Sequence, residues 1–164
     1  MLWVILIVCA LFISILESTT FSQIEFLGIK PDLFLIFAVL SALNLDLPEA
    51  GLSACLMGLC KDVLSEGPLG MNASFFIGVA ILIGLSRHKI YTNNILVQLL
   101  VVLTASIVHR GGSALIVWLS YGTLSLVPTF LNIFVGAVYT AALASGPYFL
   151  FKKYRPLRLR RDVF

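Results

Sequence analysis

The apolar residues of this chain come in long unbroken blocks, and no other feature limits its possible folds so strongly. The first is "LWVILIVCALFISILE", within residues 2–20, and others follow at roughly 31–47, 49–64, 72–87, 94–119 and 128–151. They lack the one-sided spacing of a surface helix. The chain is 60% hydrophobic and 12% charged over 164 residues, whereas an average soluble domain carries about 25% charged residues. So few charges cannot solvate a globule of this length. The pattern predicts an all-α integral membrane protein, a single six-transmembrane-helix bundle over residues 1–151 followed by a basic cytoplasmic tail, 152–164. The first block has no basic leader and no Ala-x-Ala cleavage site, so it reads as a retained span.

Several blocks are short for a span. About 17 residues are needed to cross the hydrocarbon core, and a helix of 16 covers only about 24 Å. Flanking interfacial residues or local thinning of the bilayer must supply the rest. The helix starts are well punctuated. Pro31-Asp32 and Pro48-Glu49 each put a proline at a first helical position with a carboxylate just inside, where the backbone donor has no partner and the dipole favours negative charge. Asn72 and Asn93-Asn94 are candidate N-caps for the fourth and fifth spans. Pro128 is a candidate opening for the sixth, and Pro147 should kink it.

Charge sets the expected orientation. Lys152, Lys153, Arg155, Arg158, Arg160 and Arg161 lie in the tail, and Arg87 and Lys89 in the loop between spans four and five. Only Lys30 lies in a loop on the opposite side. That bias places both termini in the cytoplasm, and six spans satisfy the parity. Splitting span five at "HRGG", 109–112, would give seven spans. A single, locally distorted helix is the preferred reading.

Few side chains are candidates for chemistry. Cys9, Cys55 and Cys60 sit in apolar blocks without metal-ligand spacing and read as packing residues. No nucleophile–base pair, paired acids, metal cluster or phosphate-cradling loop is present in the sequence, so neither enzyme activity nor a cofactor or metal is expected. The tail reads as a topology determinant held at anionic lipid rather than a nucleic-acid site.

Two motifs stand out. Ala50, Ala54, Gly58 and Asp62 are spaced four apart and form one stripe of span three, a face for close helix approach. Asp62 ends it near a helix C-terminus, where the dipole does not favour a carboxylate. Lys61, water or a cation from another helix are candidate partners, and a solvated interfacial carboxylate is the alternative. The turn "SEGPLGMN" follows: Gly67 can end the helix in a left-handed conformation, Pro68 stops its continuation and Gly70 permits a second bend. The second motif is His109-Arg110 in span five. A charge there is expected to face the bundle interior or a water-filled cavity, with Gly111-Gly112 loosening the helix. Arg110 either pairs with Asp62 or Glu66 or extends to the outer interface.

Residues 29 to about 94 resemble the rod shape-determining protein MreD family of bacteria. The likeness rests on Pro31-Asp32, Gly51 and Gly58, Asp62, Gly67-Pro68-Leu69-Gly70 and the basic Arg87-His88-Lys89 loop. It implies a non-enzymatic inner-membrane scaffold of the cell-wall elongation machinery. It further implies association with an MreC-like single-pass protein, with the RodA glycosyltransferase and its penicillin-binding transpeptidase, and indirectly with the MreB cytoskeleton. The fold it implies is similar to the substrate-binding subunits of energy-coupling-factor transporters, so a vitamin or metal transporter subunit is the competing class. Against that class, span one carries one alanine among bulky residues. An ion-coupled channel using Asp62 and Arg110 is a third reading. The stripe and the 65–72 turn are the expected docking surfaces.

Overall fold

The computed structural model describes residues 2–19, 29–65, 68–86, 94–122 and 126–147. Glu66, Gly67, Arg87, His88, Lys89, Asn93 and the tail from Lys152 to Arg161 lie outside them. The described residues form six α-helices: α1 (Leu2–Thr19), α2 (Leu33–Asn44), α3 (Leu47–Leu64), α4 (Met71–Ser86), α5 (Ile95–Tyr121) and α6 (Leu126–Leu143). Among the described residues, two helical stretches, Ile95–Ser120 and Val127–Pro147, are long and apolar enough to cross a membrane.

Helix α2 is the hub. It is apolar on every side, which suits a helix surrounded by others, and Phe34, Leu35, Ile36, Val39 and Leu40 are fully buried. It touches all five other helices. The remaining helices turn leucine, valine and phenylalanine outward, among them Phe12, Leu82, Leu119 and Phe130.

The helix starts mix agreement with correction. Pro48 stands in the first turn of α3 with Glu49 beside it, and Asn94 caps α5 by accepting from the Leu96 N–H. Asp32, by contrast, is itself the N-cap of α2 rather than a residue inside it, accepting from Leu35 N–H at 3.0 Å. Asn72 is not a cap but lies within α4. Helix α6 begins two residues before Pro128. Its regular hydrogen bonding breaks at Ala144, whose N–H is shared between the Thr140 and Ala141 carbonyls. That is where Pro147, lacking a donor and crowding the preceding turn, disrupts a helix. Helix α5 runs unbroken through Gly111-Gly112. Gly112 instead makes room for Phe75, whose ring would lie 2.5 Å from an added Cβ.

The small-residue stripe is an internal seam. Ala50 and Ala54 are wholly buried and Asp62 is 2% exposed. A Cβ on Gly58 would stand 2.3 Å from Ala73 Cα, so the α3 and α4 backbones touch there. The stripe therefore packs against the chain itself, which removes it as a free docking face. Gly58→Ala is expected to destabilise the bundle by about 3 kcal/mol, because backbone rather than a side chain must yield. Gly51, with nothing within 4 Å of an added Cβ, should accept alanine without loss. Paired thermal melts of the two variants in detergent check this, and equal midpoints would reject the seam.

Candidate functional site

At one end of the bundle a polar network joins the ends of α1 to α4 to the middle of α5. Asp62 is its best-satisfied member. Its Oδ1 accepts from Asn72 N–H at 3.0 Å and from Asn72 Nδ2 at 2.9 Å. Its Oδ2 accepts from Gly70 N–H at 2.9 Å and Ala73 N–H at 3.2 Å. The carboxylate at the unfavourable end of α3 is thus the anion at the favourable end of α4, where backbone donors lack intrahelical partners. Gly70 makes the approach possible: its φ of +92° suits glycine. Helix α3 stops earlier than the Gly67 reading requires, at an extended Ser65.

Asp32 holds the second node. It is 3% exposed, and the Lys61 ammonium forms an ion pair with its Oδ2. Lys61 also lies 5.4 Å from the centre of the Phe76 ring, a cation–π geometry. From α1, Glu17 faces the Leu33 and Phe34 N–H groups, so two carboxylates share the start of α2. Thr140 of α6 closes the node, accepting from Asp32 N–H at 3.2 Å and donating to the Gly136 carbonyl at 2.7 Å.

His109 connects the nodes. Its Nε2 is 2.9 Å from Asn72 Oδ1, and its Nδ1 is 3.6 Å from Asp32 Oδ2. Arg110, next along α5, points elsewhere. It donates to Asn132 Oδ1 at 2.5 Å and to the Lys30 carbonyl at 2.6 Å. Its guanidinium lies against Gly136, where an added Cβ would be 2.4 Å from Cζ. The expected pairing of Arg110 with Asp62 is therefore not formed: four donors already surround Asp62, and the two terminal guanidinium nitrogens are taken by Asn132 of α6 and the Lys30 backbone.

The network contains residues to which the sequence reading gave no role. Sequence pattern alone singles out neither Glu17 nor Thr140, and it offers Lys61 only as a partner for its neighbour Asp62. A carboxylate closing an apolar block, the cue that exposed Asp62, was also present for Glu17. Thr140 carried none. Among the described residues, no group of three or more His, Cys, Asp or Glu side chains is placed to hold a metal.

Beyond the network, α5 and α6 continue as a hairpin. Residues 110–121 reach about 18 Å further at 1.5 Å per residue, and Leu115, Trp118 and Leu119 are exposed there. On α6, Val127, Phe130, Leu131 and Phe134 form one exposed apolar face, with the Phe130 and Phe134 rings stacked.

Apolar side chains face outward while charged ones tie helix ends together within, the arrangement of a helical membrane protein. The model of the rod shape-determining protein MreD family matches residues 1–144. The chain belongs to that family, and with membership comes a role in determining rod cell shape. Neither a curated protein nor a solved structure matches the chain.

Proposed function

We propose that the protein is a six-span scaffold of the inner membrane, with both termini in the cytoplasm, that holds an MreC-like single-pass partner beside the RodA glycosyltransferase and its penicillin-binding transpeptidase. On this reading it acts on the MreB cytoskeleton indirectly and performs no catalysis. The fold would be that of energy-coupling-factor substrate-binding subunits. The observation that carries the proposal is the α5–α6 hairpin, whose exposed apolar face at Val127, Phe130, Leu131 and Phe134 lies past the polar network. The network's charged groups bond one another and the helix ends, which favours a rigid scaffold over a ligand pocket.

The test is site-specific photocrosslinking in the native membrane. A photoreactive residue at Phe130 or Leu131 should capture an MreC-like protein, and one at Leu82, exposed on α4, should not. The position of Leu69, 80% exposed in the outer turn, reports whether docking extends to 65–72. Gentle solubilisation should recover the wall-synthesis enzymes. Recovery of ATPase and coupling subunits instead would replace the scaffold with the transporter reading.

A further inference from the structure

Helices α2 and α3 are bounded by polar groups at both ends. Asp32 caps the start of α2, and Lys61 and Asp62 stand in the last turn of α3, all within the polar network. At the opposite end the exposed Asp46 lies between the two helices, with Glu49 in the first turn of α3. Helix α2, with 12 residues, rises about 18 Å, and α3 rises about 24 Å between Asp46 and Asp62, at 1.5 Å per residue. The hydrocarbon core of a bilayer is about 30 Å thick. Tilting a helix only shortens its reach across the bilayer, so tilt cannot supply the missing length.

The network end is not sealed from its surroundings. Lys30 and Asn132 are exposed there, as are Ser18 and Thr19 at the end of α1, and the bonds from Arg110 to Lys30 and Asn132 lie at the surface. Lysine can reach water along its apolar stem, but the short amide of Asn132 cannot, so polar surroundings begin at this level. Helix α5 does not stop there. Its 27 residues rise about 40 Å, yet it meets the network at His109, about 21 Å from its start. Above the network its sides differ. Ser113 and Ser120 continue, at intervals of seven, the side on which Ser106 is buried, with Ile116 between them. Leu115, Trp118 and Leu119 are exposed on the sides turned away.

We propose that the protein pinches the bilayer: the outer leaflet is drawn in around α1 to α4 to the level of the polar network, and keeps its full height only along the outward sides of the α5–α6 hairpin. The surface of the four shorter helices thus fits a locally thin bilayer, and its partner is lipid. The inference rests on the six-span reading. The serine side of α5 above the network then faces headgroups and water, while Leu115, Trp118 and Leu119 face acyl chains. Hydrophobic mismatch drives helices together, so the dip favours partners whose own helices are short on the outer side. That attraction is separate from any contact on the apolar face of α6.

The chain has two tryptophans, Trp3 and Trp118, so tryptophan can be used as a depth gauge. Trp3→Phe leaves Trp118 alone, and adding Trp118→Phe clears the background for Val63→Trp or Leu11→Trp. Val63 is 76% exposed beside Asp62, and Leu11 is 58% exposed midway along α1. Each protein is reconstituted in phosphatidylcholine bilayers whose acyl chains are brominated near the headgroup or near the chain end, with aqueous iodide as a third quencher. The probe at position 11 should be quenched most by the deep bromines. The probe at position 63 and Trp118, about 35 Å from the start of α5, should both be quenched most by the shallow ones. Deep quenching at position 63 would overturn the pinch, because the leaflet would then stand above the network. Quenching of Trp118 by iodide alone would also overturn it, because the hairpin would then stand in water above a bilayer of one height. A probe at position 11 that the deep bromines do not reach would instead remove the six-span reading, and the pinch with it. Leu64→Trp, at a position 49% exposed, gives the same reading if Val63→Trp fails to fold.

Discussion

Asp62→Asn is expected to cost about 4 kcal/mol of stability and most of the folded protein in the membrane. The substitution keeps shape and removes a charge, so its effect isolates hydrogen-bond polarity. Each carboxylate oxygen accepts two donors: Asn72 N–H and Nδ2 on one side, Gly70 and Ala73 N–H on the other. An amide must point its NH2 group at one of these pairs, so two buried donors lose their acceptor and meet a donor instead. Orphaned buried donors cost about 1–3 kcal/mol each, and bonds to a charged acceptor are the stronger kind. The loss also releases Asn72, which orients His109. Thermal melts in detergent and membrane-fraction abundance measure the effect. Cells carrying the variant should lose rod shape in proportion to the lost protein. Rounded cells with full abundance and an unchanged midpoint would instead mean that Asp62 serves a partner and not the α3–α4 junction.

Lys61→Met should be comparably damaging, by about 3–5 kcal/mol, and should be largely repaired by a second change. Removing the ammonium leaves Asp32 buried, beside Glu17, without its ion-pair partner. An uncompensated buried carboxylate is far more costly than a missing pair. In the double variant Lys61→Met with Asp32→Asn, position 32 no longer carries a buried charge, Glu17 keeps the Leu33 and Phe34 N–H groups it faces, and the amide oxygen can still accept from Leu35 N–H. The expected coupling between the two sites is at least about 2 kcal/mol, within the range measured for residues sharing an ion pair. Additive effects of the two single changes would show that Lys61 stabilises α3 by some route other than Asp32, such as its contact with Phe76.

Both predictions concern residues visible in the sequence whose partners were not. The apolar blocks gave six helices close to their expected positions, because burial of long apolar segments fixes where helices form. Asn94 as a cap, Pro48 in a first turn and Gly70 at a sharp bend were also legible, since each follows from backbone geometry within a few residues. The stripe from Ala50 to Asp62 was correctly one face, being a matter of helical period. What it faced was another question. Small residues invite any close neighbour, and here the neighbour was α4 of the same chain.

The ion-pair and hydrogen-bond partners belong to the tertiary structure. Lys61 and Asp62 are adjacent in the chain yet about 100° apart around a helix, so one reaches the start of α2 and the other the start of α4. His109 and Arg110 diverge in the same way, toward Asn72 and Asp32 in one case and Asn132 in the other. By itself the sequence determined where helices begin and end and which side chains share a face, because those depend on the local period and on the orphan groups at helix ends. Only the packing decided which carboxylate meets which cation, because that depends on how far each helix is rotated and how deep its end lies, and distant backbone contacts such as Gly58 against Ala73 set both.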